Sequence, residues 1–269
     1  MRGASRASYA ELRDRLGGVA VGPATSEQIG DQLFAVVRLI DSEHGLRRAL
    51  SDASKPAAEK VAVVRRLLEG RVSEATEGLV ADAAAAHWAT PGNFADALEQ
   101  LAIEALTMAA QYGGMLDDLE DDLFRFGRVV SGQTGLRSAL TGATGPDAKA
   151  SLLVNLLSQK ISGPSLSLIT QVVTHPRGRS PQAALDLAAS IAARRRQQLI
   201  ALVRAATELS AAQRQRLLSV LTEAYGQGIH LNVVHDPTVI GGISVQIGDD
   251  LMDGTAASRL AEVRRKLAG

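Results

Sequence analysis

The sequence predicts a mainly α-helical protein: two related helical bundle units followed by a small α/β C-terminal domain. Three observations carry this. Apolar residues make up 46% of the 269-residue chain and recur at helical spacing over most of its length. A stretch beginning near residue 30 returns 90 residues later. Beyond residue 197 the apolar pattern shortens toward the two-residue period of strands.

The repeat is read from Asp31-Gln-Leu-Phe34, Arg38 and Gly45-Leu-Arg-Arg-Ala-Leu50. Their counterparts are Asp121-Asp-Leu-Phe124, Arg128 and Gly135-Leu-Arg-Ser-Ala-Leu140. Ala53 and Pro56 match Ala143 and Pro146; after a one-residue deletion, Lys60, Leu67, Leu68 and Ser73 match Lys149, Leu156, Leu157 and Ser162. Two copies are too few for an extended solenoid, so paired bundles are expected.

The N-terminal segment 1–16 reads as a short amphipathic helix, with a transit-like segment as the competing reading. In the first copy Ile29, Leu33, Val36 and Ile40 share a helical face. Pro56 suits the first turn of a helix over 55–69, and a further helix follows over 74–88. A long helix, 93–112, joins the copies and is interrupted or bent at Gly113-Gly114. The second copy repeats the pattern, with Leu116, Leu119, Leu123, Phe126 and Val130 on one face and helices near 146–159 and 162–174. A Pro- and Gly-bearing break at 175–181 precedes a helix to residue 197. A strand follows over 198–206. Ser210 and Gln213 then form a capping box, opening a helix that Gly226 closes. Segments 230–234 and 243–247 alternate as strands, Asp253-Gly254 signals a turn, and Thr255 caps a last helix carrying Leu260, Val263 and Leu267 inward. This gives three regions: 1–112, 113–197 and 198–269.

Composition narrows the function. Lys plus Arg is 29 and Asp plus Glu is 29, so no general field attracts nucleic acid or acidic lipid. Aromatics are 3%, a poor surface for stacking bases. Cysteine is absent, which excludes disulfides, thiol nucleophiles and Cys-ligated metal. No stretch approaches the roughly 20 apolar residues of a membrane helix, so no direct membrane insertion is expected.

No catalytic constellation emerges. Gly142-Ala-Thr-Gly-Pro-Asp-Ala-Lys149 has the wrong spacing for a phosphate loop and lacks the preceding strand. Gly226-Gln-Gly228 follows a helix, the reverse of a dinucleotide fingerprint. His44, His87, His175, His230 and His235 include no pair at the helical spacing of a zinc site. The expectation is no catalytic residue, no cofactor and no metal. The acidic run Asp117, Asp118, Glu120, Asp121, Asp122 reads as a solvated helix N-terminus or an interaction patch. Arg194-Arg-Arg196 offsets a helix dipole or meets an acidic partner.

The last 90 residues carry a further pattern. Val203-Arg-Ala-Ala-Thr-Glu-Leu-Ser210 leads into the capped helix. Asp236, Pro237, Ile240, Gly241 and Gly242 are followed by Gly248-Asp249, then by Asp253-Gly254 with Arg259 and Leu260. In this order and spacing the chain resembles the delta subunit of bacterial ATP synthases, the OSCP family. Tyr9-Ala10 resembles the family's N-terminal helix, and Arg177-Gly-Arg179 sits where the family often has a similar turn. The extra copy, 27–112, is absent from the family's short form and is familiar in actinobacterial-looking members.

The resemblance implies a non-catalytic stator subunit of the proton-translocating synthase, peripheral on the cytoplasmic face of the plasma membrane. It further implies that the helical domain binds N-terminal helices of the alpha subunits and the C-terminal domain binds the b/b′ stalk. Tyr9, Ala10, Ala84, Ala85, Arg264 and Arg265 are the candidate partner interface. Alanine-lined grooves at 83–86 would admit a helix closely, and core packing is the other reading of the same alanines. A helical scaffold or adaptor unrelated to ATP synthase is the alternative function.

Overall fold

The computed structural model describes residues 3–196, 199–207, 209–226, 229–236, 239, 241–247 and 250–253. It divides into two compact units, residues 1–193 and 194–269. The first unit is helical. Its elements are α1 (Ala4–Val19), α2 (Pro23–Ser42), α3 (His44–Ser51), α4 (Ala57–Leu68), α5 (Glu74–Ala85) and α6 (Pro91–Tyr112). Then come α7 (Leu116–Gly132), α8 (Thr134–Thr141), α9 (Pro146–Leu157), α10 (Gly163–Thr174) and α11 (Pro181–Arg196).

Local chemistry sets the ends of these helices. Pro23, Pro91 and Pro146 occupy first-turn positions, where a missing N–H costs no hydrogen bond. Thr90 caps α6 through Asn93 N–H. Ser73 and Ser162, equivalent in the repeat, cap α5 and α10 alike: each hydroxyl accepts from the N–H three residues on, at 3.3 Å. Gly114, at φ +70°, breaks the chain between α6 and α7. Pro56 departs from expectation. It has extended backbone and stands just outside α4, which starts at Ala57. Helix α5 also stops earlier than expected, at Ala85. Trp88 folds back so that its indole N–H donates to Ala83 O at 2.7 Å, and the ring packs near Phe94.

The repeat is thus five helices matched to five, α2–α6 with α7–α11. Helix α6 takes part in both halves. It packs on α1 and α5 within the first copy and on α7 and α10 within the second. From Phe94 to Ala110 nearly every α6 side chain is buried, the signature of a central helix. Both copies feed one continuous apolar core, from Tyr9 on α1 to Ala192 on α11. Helices α2 and α6 run antiparallel and very close. A Cβ at Gly30 would lie 2.7 Å from Leu106 Cδ2 and 3.2 Å from the Ala102 carbonyl.

The second unit is a mixed sheet with one described helix. It holds β1 (Leu199–Ala205), α12 (Ala211–Tyr225), β2 (Ile229–His235), β3 (Ile243–Ile247) and β4 (Asp250–Asp253). Strand order is β2-β1-β3-β4. Strands β1 and β2 are parallel, which requires the crossover that α12 supplies. Strands β1–β3 and β3–β4 are antiparallel. The capping box of Ser210 and Gln213 is present, and Gly226 ends α12 in the left-handed conformation at φ 65°. Ala201, Val203, Leu221, Ile229, Leu231, Val245 and Ile247 form this unit's own core. Strand β4 adds to the elements expected from sequence. Asp253 is its last residue and pairs in register with Ser244, and the rest of the expected Asp253-Gly254 turn lies outside the described residues. The expected final helix lies outside the described residues.

Candidate functional site

The helical unit presents a groove between α1 and α5 of about 340 Å³, lined by Ser8, Glu11, Leu12, Arg15, Asp82, Ala85 and Ala86. Two polar ties fix α1 on its neighbours. Ser8 Oγ donates to His87 O at 3.0 Å, and Ser5 Oγ accepts from Ala89 N–H at 2.9 Å. On the α6 side, Tyr9 Oη donates to Glu104 Oε1 at 3.0 Å, with Arg13 Nε 3.8 Å from the other carboxylate oxygen. Arg15 pairs with Asp82 across the groove. Small side chains on α5 keep the floor shallow.

The candidate interface residues of the helical unit lie in and around this groove. Tyr9 and Ala84 are buried, Tyr9 by its bond to Glu104 and Ala84 by the core, so neither offers a free surface. Ala10 is exposed and Ala85 is half-buried in the groove wall. Arg264 and Arg265 lie outside the described residues.

In the second copy, α10, the counterpart of α5, takes polar contacts from α2. Arg38 Nη1 donates to Gln171 Oε1 at 2.8 Å, and Asp31 Oδ1 accepts from Gln171 Nε2 at 3.4 Å and Ser167 Oγ at 3.5 Å. Gln171 is the repeat counterpart of Asp82, and Ser167 of Gly78.

A buried charge knot ties the two copies together. Arg177, in the α10–α11 loop at φ 53°, donates from Nε to Asp41 Oδ2 at 2.5 Å. Its Nη1 reaches Asp96 Oδ1 and Glu99 Oε2, both at 2.8 Å. Arg179 pairs with the remaining Glu99 oxygen. Burial works against the Arg177 charge, but the hydrogen bonds and charges of Asp41 and Glu99 outweigh it and hold the guanidinium protonated above its usual range. Sequence reasoning singles out Arg177-Gly-Arg179 but misses these partners. The available signal is Glu99, which falls among the apolar positions of α6 and is an acid that burial obliges to find a cation.

Elsewhere the chemistry is structural. Among the described residues no group of acids and histidines is arranged to hold a metal. His175 is half-buried, with Nδ1 2.8 Å from Thr174 Oγ1. Burial, then the nearby Arg38 charge, lowers its pKa, and Asp147 opposes weakly. The acidic run splits. Asp117, Asp118 and Asp121 are exposed, whereas Asp122 is buried and accepts from Ser162 N–H at 3.4 Å.

In the C-terminal unit, Asp236 follows β2 and its N–H donates to Ala205 O at 2.9 Å, joining it to the end of β1. Gly241 and Gly242 turn the chain into β3 with φ 66° and 82°, a conformation that favours glycine. Pro237, Ile240, Gly248, Asp249, Gly254, Arg259 and Leu260 lie outside the described residues.

Comparison with known proteins supplies a name for this pattern. Residues 103–267, more than half of the chain, match the family model described as ATP synthase delta (OSCP) subunit. The match starts within α6 and runs through the second copy into the C-terminal unit. Curated relatives match over the whole chain. One from Thermobifida fusca, named ATP synthase subunit delta, is 45% identical over 271 residues and all of both chains. Others of that name from Streptomyces griseus and Nocardia farcinica are 42% and 38% identical, again over all of both chains. A chain of the Toxoplasma gondii mitochondrial ATP synthase hexamer aligns over 62% of this chain and 95% of its own, at TM-score 0.30 and 17% identity, too remote to inform the fold.

Proposed function

We propose, from the premise that the chain belongs to the ATP synthase delta (OSCP) family, that its open α1–α5 groove receives an N-terminal helix of an alpha subunit. The family identity makes it a peripheral, structural component of the synthase stator and not a catalytic subunit. It also overturns the alternative of a scaffold unrelated to the synthase. No helix among the described residues is long and apolar enough to cross a membrane.

The observation that supports the groove assignment is the open cleft itself, about 340 Å³ between α1 and α5 with the small side chains of Ala85 and Ala86 in its wall. A stator resists rotor torque by gripping two neighbours at once, and large helix-in-groove contacts suit that static task. In this reading the C-terminal sheet unit holds the b/b′ stalk, with Asp236, Gly241, Gly242, Asp253 and the signature residues around them shaping that unit. The assembled subunit sits at the cytoplasmic face of the plasma membrane.

The test uses the full chain and a labelled peptide of the cognate alpha subunit's N-terminus. Ala85→Arg fills the groove and Glu11→Lys reverses an exposed charge at its rim. Binding that drops about tenfold or more in both variants supports the site. Undiminished binding in both would overturn it. Removing the subunit from the membrane-bound synthase should abolish synthesis while the detached head still hydrolyses ATP.

A further inference from the structure

His175 closes α10 at the seam where the two copies meet. Gln171, one turn earlier on the same helix, accepts from Arg38 of α2 at 2.8 Å and donates to Asp31 at 3.4 Å. Two residues after His175 the chain enters the charge knot at Arg177. The ring's own hydrogen bond fixes where a further proton can go. Thr174 Oγ1 donates to Thr170 O at 2.7 Å, which uses the only hydrogen of that hydroxyl. The same oxygen lies 2.8 Å from His175 Nδ1 and can then only accept, so the neutral ring carries its hydrogen on Nδ1. Nε2 is left as the atom that takes up a proton.

We infer that His175 is a proton-operated release for the α2–α10 seam: a proton on Nε2 adds a cation one turn from the Arg38–Gln171 contact and loosens it while both copies stay folded. The charges around the ring set the direction. Arg38 on α2 opposes a second cation, and Asp147 on α9 favours it weakly. The loop that follows adds Arg177 and Arg179, whose acids Asp41, Asp96 and Glu99 are already engaged with them, as Asp31 is with Gln171. The C-terminal end of α10 would welcome a cation through its dipole. Burial first, and Arg38 second, prevail over that and lower the ring's pKa from 6.5. The coupling is reciprocal: whatever Arg38 costs the charged ring, the charged ring costs Arg38 in its place on Gln171. The seam is therefore tight while the ring is neutral and weakens as pH falls through the folded pKa. This release belongs to the joint between the copies and stands independently of the α1–α5 groove.

The experiment follows amide exchange of the full chain on either side of the ring's titration, at about pH 5 and about pH 7.5, corrected for the intrinsic rate. In the unmodified chain, amides around Arg38 and over 171–180 should exchange about threefold or more faster at the acidic value, with protection in α6 retained. His175→Asn, which cannot take the proton, should remove that difference. The second readout is the NMR titration of the ring: Nδ1 should bear the hydrogen of the neutral form, and Arg38→Gln should raise the His175 pKa by removing the neighbouring cation. An acid-dependent acceleration that persists in His175→Asn, or its absence from the unmodified chain, would overturn the release. A ring titration unmoved by Arg38→Gln would overturn its coupling to the seam.

Discussion

The two helical copies are close in sequence yet differ in what they touch. In the first, Phe34 is buried, and Arg38 and Asp31 beside it bond to Gln171 on α10. In the second, Phe124 stands in solvent. The difference follows from surroundings: Arg38 on α2 meets Gln171 on α10, whereas Phe124 on α7 is left 64% exposed, so two like faces differ in burial because burial depends on what lies opposite.

Mutating the twin phenylalanines tests the comparison most sharply. Phe34→Ala should cost about 3–5 kcal/mol, the usual loss for truncating a buried aromatic, read as a lower urea midpoint. Phe124→Ala should leave stability of the isolated chain within about 0.5 kcal/mol. Equal losses at both positions would mean that the two faces are not used differently.

The charge knot tests whether the copies are one body. Glu99→Ala strips a carboxylate that is 3% exposed from both Arg177 and Arg179, leaving Arg177, 12% exposed, with fewer partners. A loss of about 3–5 kcal/mol is expected, because a buried charge is left under-compensated. The cost should appear in α2 and the α10–α11 loop together, as faster amide exchange in both. Asp96→Asn, at a carboxylate 44% exposed, should cost about 1 kcal/mol or less. Exchange that changes in one copy only would break the picture of a rigid pair.

The smallest expected effect is at His175. Its folded pKa lies below the ordinary 6.5, so the unfolded chain binds the extra proton first as pH falls. Stability should therefore be complete above about pH 6.5 and decline below it, down through the folded pKa. His175→Asn should flatten that part of the curve. A slope untouched by His175→Asn would assign the pH dependence elsewhere.

Much of the fold is legible in the sequence because it is local. Ser73, Thr90, Ser162 and Ser210 announce helix starts, Pro146 and Pro181 reinforce them, and Gly226 closes α12, each through contacts within four residues. Where the local reading slips, a distant partner intervenes. Periodicity alone carries α5 through to Trp88, but α1 takes the His87 carbonyl and the Ala89 N–H for its own serines and draws the chain out of the helix. Strand β4 escapes the sequence pattern because it is short and leans on its pairing with β3.

By itself the sequence determined that there are helices, where most of them begin and stop, that one set is copied, and that the end of the chain is α/β with a delta-type signature. It also determined which side of α2 and of α7 is apolar, since that depends only on a 3.6-residue period. Only the tertiary structure decided that one of those matching faces is covered and the other bare. Gln171, on the helix that covers α2, is 133 residues away from Arg38, and burial is a property of what lies opposite rather than of the segment itself. The same holds for Arg177, whose carboxylates come from α2 and α6 and meet it through the packing of both copies.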